Sequence, residues 1–264
     1  MFLNIFPLQN NTFSRLYLRQ NLIVLDEVTS TNDYLKQLVS NIKPLPEATA
    51  IMANRQVRGR GQRGNVWIDE PHATLALSLV LYPPELSVRH AFNLNMFVCL
   101  AIHNWILELL PQVQIKWPND IYVGDKKLGG VLIENQLSGS LIRSTVIGIG
   151  INIKQQSFPV TIRDKATSLY LERPSIAKQS LEHYALSLVS TIMAYYEHID
   201  LRDTSHLLDR YNRTLFRRGI PASFEIGEAT VVGTIQGVES NGKLNIIIDN
   251  QECLFDLKEI SFKL

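Results

Sequence analysis

Runs of apolar residues divide the chain into short strands and a few amphipathic helices. Runs with two-residue alternation or continuous β-branched character predict seven strands, at 22–28, 49–55, 74–82, 113–117, 120–123, 127–135 and 140–153. Runs with helical spacing predict helices at 34–39, 89–110, 175–198 and 204–215. The first 217 residues are therefore expected to form one α+β domain.

The pattern changes near Gly219. Four short strands are predicted at 222–226, 229–238, 243–249 and 253–257, and Asn241-Gly242 supplies a hairpin turn. A β-module of about 45 residues is marginal alone, so it is expected to pack against the larger domain. The predicted domains are 1–217 and 218–264.

Composition narrows the class of protein. Of 264 residues, 45% are hydrophobic, and the formal net charge is only +1, so no strong field recruits nucleic acid or an anionic membrane. No secretory signal or uninterrupted membrane-spanning run is found. Cys99 and Cys253 lack metal-site spacing and are expected to be reduced thiols of a cytoplasmic protein.

The segment 54–67 contains three glycines, four arginines and no acid. Arg55, Arg58, Arg60 and Arg63 repel one another, so this arginine loop is expected to stay mobile until an anion binds. Its glycines match the spacing of a dinucleotide fingerprint, but the following residues do not begin a helix. An RNA-binding RGG tail would be repetitive and disordered. This segment is short, is not repeated and lies within a folded chain, so it does not match such a tail.

Two polar turns complete the candidate chemistry. Ser30 with Asp33 is close to a capping box, and the polar cluster Ser30-Thr31-Asn32 also suits a polar head group. Pro118 fixes a turn that presents Asn119 and Asp120, and Lys127 across the hairpin is expected to share their cavity. Each motif also has a simpler interpretation. Ser30 and Asp33 could serve only to cap a helix, and the second motif could be a solvated turn with surface lysines.

Five motifs in order resemble the biotin protein ligases. They are Ser30-Thr31-Asn32; Gln56 with Gly59-Arg60-Gly61-Gln62-Arg63-Gly64 and Trp67; Lys116-Trp117-Pro118-Asn119-Asp120; Lys127-Leu128-Gly129-Gly130; and Gly148-Ile149-Gly150-Ile151-Asn152. The resemblance covers residues 20–264. It implies a mixed β-sheet catalytic domain flanked by helices, of the class II aminoacyl-tRNA synthetase-like and biotin-lipoate ligase type, with a C-terminal SH3-like barrel.

The resemblance also implies a two-step reaction. Biotin and ATP with Mg²⁺ give biotinyl-5′-AMP, and the biotinyl group then passes to a lysine of a biotin carboxyl carrier protein. Catalysis by positioning and charge stabilisation needs no covalent nucleophile, and none is recognisable here.

By position, the resemblance assigns three overlapping sets of residues. The catalytic residues are Lys127, Arg60 and Asp120, and Asp120 also holds the metal. Biotin is bound by Ser30, Thr31, Asn32, Gln56, Arg60, Gly61, Gln62, Lys127, Gly150 and Asn152. ATP is bound by Arg58, Arg63, Trp67, Lys116, Asn119, Asp120 and Asn152. Trp67 could instead be a core residue.

Some features depart from the family or leave alternatives open. Gln62 stands where some members have an arginine, so Arg58 or Arg63 is expected to hold the adenylate instead. About twenty residues precede the first strand, too few for the DNA-binding domain of some members, so no operator binding is expected. A lipoate or octanoate ligase is the nearest alternative, and a homodimer is possible. A nucleic-acid-binding module is a more distant functional alternative.

Overall fold

A mixed β-sheet forms the centre of the larger domain. The computed structural model describes residues 13–17, 21–42 and 44–263, without the side chains of 13–17 and of Arg63. The strands are β1 Phe13–Tyr17, β2 Leu22–Val28, β3 Ala50–Gln56, β4 Thr74–Leu81, β5 Val113–Lys116, β6 Asp120–Val123, β7 Lys126–Ser138 and β8 Leu141–Asn152. Their order is β1-β2-β3-β4-β8-β7-β6-β5, and β2 and β3 alone among them pair in parallel. The predicted strands and the mixed sheet are confirmed.

The predicted helices are present with different ends, and the short helix at 169–172 was not predicted. The helices are α1 Thr31–Asn41, α2 Ala91–Leu107, α3 Leu169–Glu172, α4 Leu181–Tyr196 and α5 Thr204–Arg213. The helix expected from residue 175 begins later, because Pro174 opens a separate 3₁₀ turn and the Ser180 side chain caps α4. A 3₁₀ turn at Val88–His90 likewise precedes α2, and α1 begins early because Ser30 caps it.

Both faces of the sheet are covered by helices. In β2, Leu22 and Val24 join the core cluster that contains α2 and α4, whereas Ile23 and Leu25 join the cluster that contains α1. Because neighbouring residues of a strand point to opposite faces, this alternation places α1 on one face and α2 with α4 on the other. The continuous apolar runs in the sequence follow from this double burial.

The C-terminal residues form a second, antiparallel sheet. It contains β9 Pro221–Ile226, β10 Ala229–Val238, β11 Leu244–Ile248, β12 Gln251–Phe255 and β13 Ser261–Phe262, in the order β12-β11-β10-β9-β13. The four predicted strands are confirmed, whereas β13 was missed because two residues carry no periodicity. The sheet is consistent with the expected SH3-like module, and the boundary at 217/218 stays a prediction.

The two sheets are joined by hydrogen bonds as well as by apolar packing. Asn212 of α5 accepts from the Val238 N–H at 2.8 Å and donates to the Val238 carbonyl at 3.2 Å. The Trp117 indole donates to the Gly242 carbonyl at 3.0 Å. The C-terminal sheet is thereby held against the turn that contains Pro118. Among the described residues, no helix has the length and apolar character needed to cross a membrane.

Candidate active site

A cavity of about 410 Å³ lies between the central sheet and the C-terminal sheet. Its lining includes these predicted site residues: Ser30, Thr31, Asn32, Gln56, Arg60, Gly61, Gln62, Trp67, Lys116, Asn119, Asp120, Lys127 and Gly150. The C-terminal sheet and its last turn add Leu257, Lys258, Ile260, Ser261 and Phe262, which sequence reasoning missed. One cavity thus brings together residues from all five motifs.

One end of the cavity is a network of short polar side chains. Gln56 ends β3 beside the end of β2, so its Oε1 accepts from the Thr31 N–H at 2.9 Å and from Thr31 Oγ1 at 3.1 Å. Ser78 Oγ lies 2.7 Å from Thr31 Oγ1 and 2.6 Å from Asn32 Oδ1. We call Ser30, Thr31, Asn32, Gln56 and Ser78 the polar floor. Such a floor favours a polar head group over an alkyl one, because a polar group can use the hydrogen-bonding capacity that the network leaves free.

The Asn32 amide is held by the protein. Its nitrogen donates to the Leu132 carbonyl at 3.2 Å and to Glu134 Oε2 at 2.9 Å. Gly148 leaves it room, because a Cβ on that residue would lie 2.8 Å from Asn32 Cγ. An amide nitrogen has two N–H groups, so both are committed. Asn32 therefore shapes the floor, and its remaining acceptor capacity is what a ligand can use.

Lys127 and Asp120 form an ion pair across the β6–β7 hairpin. Lys127 Nζ lies 2.6 Å from Asp120 Oδ1 and 5.7 Å from the centre of the Trp67 ring. This confirms the expectation that the hairpin brings the two side chains together. Asp120 is the one carboxylate among the described lining residues, and no described cluster of three or more His, Cys, Asp or Glu could hold a metal. A single carboxylate fits Mg²⁺ that arrives mainly ligated by nucleotide phosphates.

Trp67 belongs to the cavity rather than to the core. The ring lies against Gly150, where a Cβ would be 2.6 Å from the Trp67 Cε2 atom. Its buried Nε1 has no hydrogen-bond partner among the described residues. An unpaired buried donor is uncommon in a folded protein, and here it belongs to an aromatic ring that lines the cavity.

The arginine loop folds back on itself and finds acidic partners. Gly59 O accepts from the Trp67 N–H at 3.0 Å, and Gly61 N–H donates to Asn65 O at 2.7 Å. Arg60 Nη2 lies 2.6 Å from Asp33 Oδ1 and 3.0 Å from Glu134 Oε2. The expectation that repulsion dominates the loop is wrong at Arg60, because α1 and β7 supply acids that the loop itself lacks. It is also wrong at Arg55, whose Nη1 lies 2.9 Å from Glu27 Oε2 of β2.

Two predicted ligand residues, Arg58 and Asn152, lie outside the cavity lining, whereas Asn119 is part of it. Arg58 lines a separate, open depression beside α1. Asn152 is buried outside the cavity lining, where it donates to the Thr167 carbonyl at 2.9 Å and accepts from Gln155 at 3.1 Å, so the expectation that it lines the cavity is wrong. The Asn119 amide donates to the Val131 carbonyl. The side chain of Arg63 lies outside the described part of the structure.

Lys116 lies between two aromatic rings at the junction of the sheets. Its Nζ is 4.8 Å from the ring centres of both Tyr122 and Phe262 and donates to the Tyr122 hydroxyl at 3.1 Å. Burial lowers the pKa of Lys116 to about 8; Asp120 opposes this shift, and the nearby cations Lys127, Lys165 and Arg217 add to it. A lysine charge that weakens near neutral pH is common at functional sites.

Comparison with known proteins agrees with this geometry. Residues 24–152 match the model of the Biotin/lipoate A/B protein ligase family. The bifunctional ligase/repressor BirA of Bacillus subtilis is 37% identical over 153 residues, which are 57% of this chain and 46% of that protein. A biotin--[acetyl-CoA-carboxylase] ligase of Paracoccus denitrificans is 26% identical over 204 residues, 74% of this chain and 82% of that protein. The chain thus spans about half the length of the Bacillus relative.

A solved structure extends the similarity over both sheets. Biotin protein ligase from Aquifex aeolicus in complex with biotin and ATP superposes with a TM-score of 0.73 and 27% identity, covering 92% of this chain and 99% of that one. Residues 24–152 are thus the part of the chain that is similar to the biotin/lipoate A/B protein ligase family, and the fold and the cavity agree with that similarity. The proteins that it resembles include the biotin--[acetyl-CoA-carboxylase] ligase of Paracoccus and the biotin protein ligase of Aquifex.

Proposed function

We propose that this protein activates biotin with ATP as biotinyl-5′-AMP and transfers the biotinyl group to one lysine of a biotin carboxyl carrier protein. The activity is then that of a biotin–[acetyl-CoA-carboxylase] ligase. The observation that carries the proposal is one cavity with a polar floor at one end and the Lys127–Asp120 pair in the same lining. The Aquifex protein that shares the fold binds biotin and ATP.

The first step joins two anions. A carboxylate oxygen of biotin attacks the α-phosphorus, the bond from the α-phosphorus to the bridging oxygen breaks, and pyrophosphate leaves. Lys127 and Arg60 line the cavity and can neutralise charge that develops on the phosphoryl and acyl oxygens. Asp120 is the residue that would hold Mg²⁺, which supplies further neutralisation of the phosphates.

The second step transfers the acyl group. The carrier lysine, as a neutral amine, attacks the acyl carbon of the adenylate; AMP leaves as the amide forms, and the nitrogen releases one proton to the solvent. Asp120 is the carboxylate available to position that amine, and its ion pair with Lys127 keeps it oriented into the cavity. Asp120 acts here through position and charge.

The nucleotide is assigned to the side of the cavity that contains Trp67 and Lys116. The face of the Trp67 ring suits stacking on adenine, and Lys116 offers a cation to phosphate. Four further residues are predicted to contact ATP: Arg58, Arg63, Asn119 and Asn152. Cytoplasmic location, homodimer formation and the absence of nucleic-acid binding also stay predictions. Arg58 and Asn152 would have to act from outside the cavity lining.

Release of pyrophosphate tests the proposed function directly. The protein is incubated with ATP and Mg²⁺ and with biotin, lipoate or octanoate, and pyrophosphate is measured. We expect release with biotin only, because the polar floor matches a ureido ring and not an alkyl chain. Incorporation of biotin into an apo carrier domain then tests the transfer step. Release with lipoate or octanoate instead would favour the alternative ligase, and no release at all would contradict both.

ATP affinity is expected to weaken above pH 8. Lys116 loses its proton as pH rises through its lowered pKa of about 8, so the KM for ATP should rise severalfold between pH 7 and 9. The variant Lys116→Arg is the control, because arginine keeps its charge over this range. Steady-state kinetics of both proteins measure the effect. A parallel rise in both proteins would assign the titration to a group other than Lys116.

A further inference from the structure

Glu134 of β7 contacts both the polar floor and the arginine loop, although none of the five sequence motifs includes it. Its Oε2 accepts from Asn32 Nδ2 at 2.9 Å and lies 3.0 Å from Arg60 Nη2. Its Oε1 lies 2.8 Å from Lys36 Nζ and 3.3 Å from Arg60 Nη2. One carboxylate therefore joins the polar floor to the arginine loop.

This arrangement differs from an ordinary surface ion pair. The Glu134 side chain is only 25% exposed, and it serves three donors at once. Burial raises the pKa of Glu134, but hydrogen bonds from Lys36 and Asn32 and the charges of Arg60 and Lys36 outweigh it, so the pKa lies below its ordinary value. The carboxylate is thus ionised at neutral pH, and charge-assisted bonds to such a group have defined geometry.

The geometry of Arg60 leaves part of its guanidinium for a ligand. All three of its contacts with Asp33 and Glu134 use the same nitrogen, Nη2. A guanidinium has five N–H donors in a rigid planar fork, so fixing one nitrogen also fixes the direction of the others. The Asn32 amide is fixed in the same way, because its nitrogen donates to Glu134 and Leu132.

We propose that Glu134 is a positioning residue for biotin: it sets the Arg60 guanidinium and the Asn32 amide relative to each other before the substrate binds. The proposal rests on the function proposed above and adds a residue that determines affinity for biotin and not for ATP. Glu134 itself does not line the cavity, so it acts through Arg60 and Asn32.

The variant Glu134→Gln tests the proposal. Glutamine keeps the shape but replaces one acceptor oxygen with a donor, so at least one of Asn32, Arg60 and Lys36 loses its acceptor. We expect the KM for biotin to rise about tenfold, as for the loss of one charge-assisted hydrogen bond, and the KM for ATP to stay within about twofold of wild type. The kcat should also fall, because Arg60 is proposed to neutralise charge on the phosphoryl and acyl oxygens. The matched control is Asp33→Asn, because Asp33 contacts Arg60 and Lys36 but not Asn32. Its effect should stay below about threefold.

Double variants separate positioning from a general loss of structure. In an Asn32→Ala background, Glu134→Gln should raise the KM for biotin no more than Asp33→Asn does, because the hydrogen bond between Glu134 and the polar floor is already absent. If Glu134→Gln does not fold, a cycle with Asn32→Ala and Arg60→Gln gives the same information, since these residues should be coupled through Glu134. Thermal melting of each variant shows which proteins are folded.

Several outcomes would overturn the proposal. A biotin KM within twofold of wild type for Glu134→Gln, an equal effect of Asp33→Asn, or additive effects in the cycle would each contradict positioning by Glu134. The proposed function fails differently, because the wild-type protein would then release no pyrophosphate with biotin. A wild type that neither binds nor activates biotin contradicts both.

Discussion

Lys127→Ala is expected to slow formation of biotinyl-5′-AMP by on the order of a hundredfold or more, as does loss of a donor that stabilises transition-state charge. Lys127 Nζ is held 2.6 Å from Asp120 Oδ1 in the cavity lining, so its charge is fixed in place before the substrates meet. Because the charge develops mainly in the transition state, kcat should fall more than the KM for biotin rises. Pyrophosphate release under saturating biotin and ATP measures the change.

The neighbouring residue gives a matched control. Lys126 carries the same charge but is exposed, so Lys126→Ala should leave the rate within about twofold. Lys127 is partly exposed and its ion pair contributes little to folding, so the melting temperatures of the two variants should be similar. Equal rates for both variants would mean that Lys127 has no part in the chemistry.

The second large effect concerns two glycines of β8, whose substitution is expected to weaken binding of different substrates. Gly148 and Gly150 are two residues apart and so point to the same face of the strand. A methyl group on Gly148 would overlap the Asn32 amide, whereas one on Gly150 would overlap the Trp67 ring at 2.6 Å from Cε2. We expect Gly148→Ala to raise the KM for biotin tenfold or more, since overpacking a fixed neighbour costs about 1–3 kcal/mol. The resemblance assigns Gly150 to biotin, but it lies against Trp67, so we expect Gly150→Ala to raise the KM for ATP by a similar factor.

Each glycine variant is the control for the other. Both add one methyl group to the same strand, so a general disturbance of the sheet would change the two KM values alike. Steady-state kinetics with each substrate varied in turn distinguish the cases. If both variants raise the same KM, the division of the cavity into a biotin end at Asn32 and an ATP end at Trp67 is wrong.

Much of the fold was predictable because it depends on local patterns. Buried strands appear as apolar runs, and the turn at Gly124 joins β6 to β7 as expected. Ser30 is both a helix cap and part of the cavity lining, so the two interpretations of its motif were not alternatives. The ends of α2 and α4 were wrong because short 3₁₀ turns interrupt the helical pattern.

The sequence by itself determined the described strands other than β1 and β13, and it determined most of the residues that line the cavity, since the motifs and the periodicity are local properties of the chain. The tertiary structure alone decided which groups meet. Arg60 pairs with Glu134 across 74 positions, and Asn32 pairs with the same carboxylate across 102. Asn152 is directed away from the cavity by Thr167 and Gln155. Contacts over such distances depend on how the strands are ordered and which face each residue takes, and no local pattern encodes them.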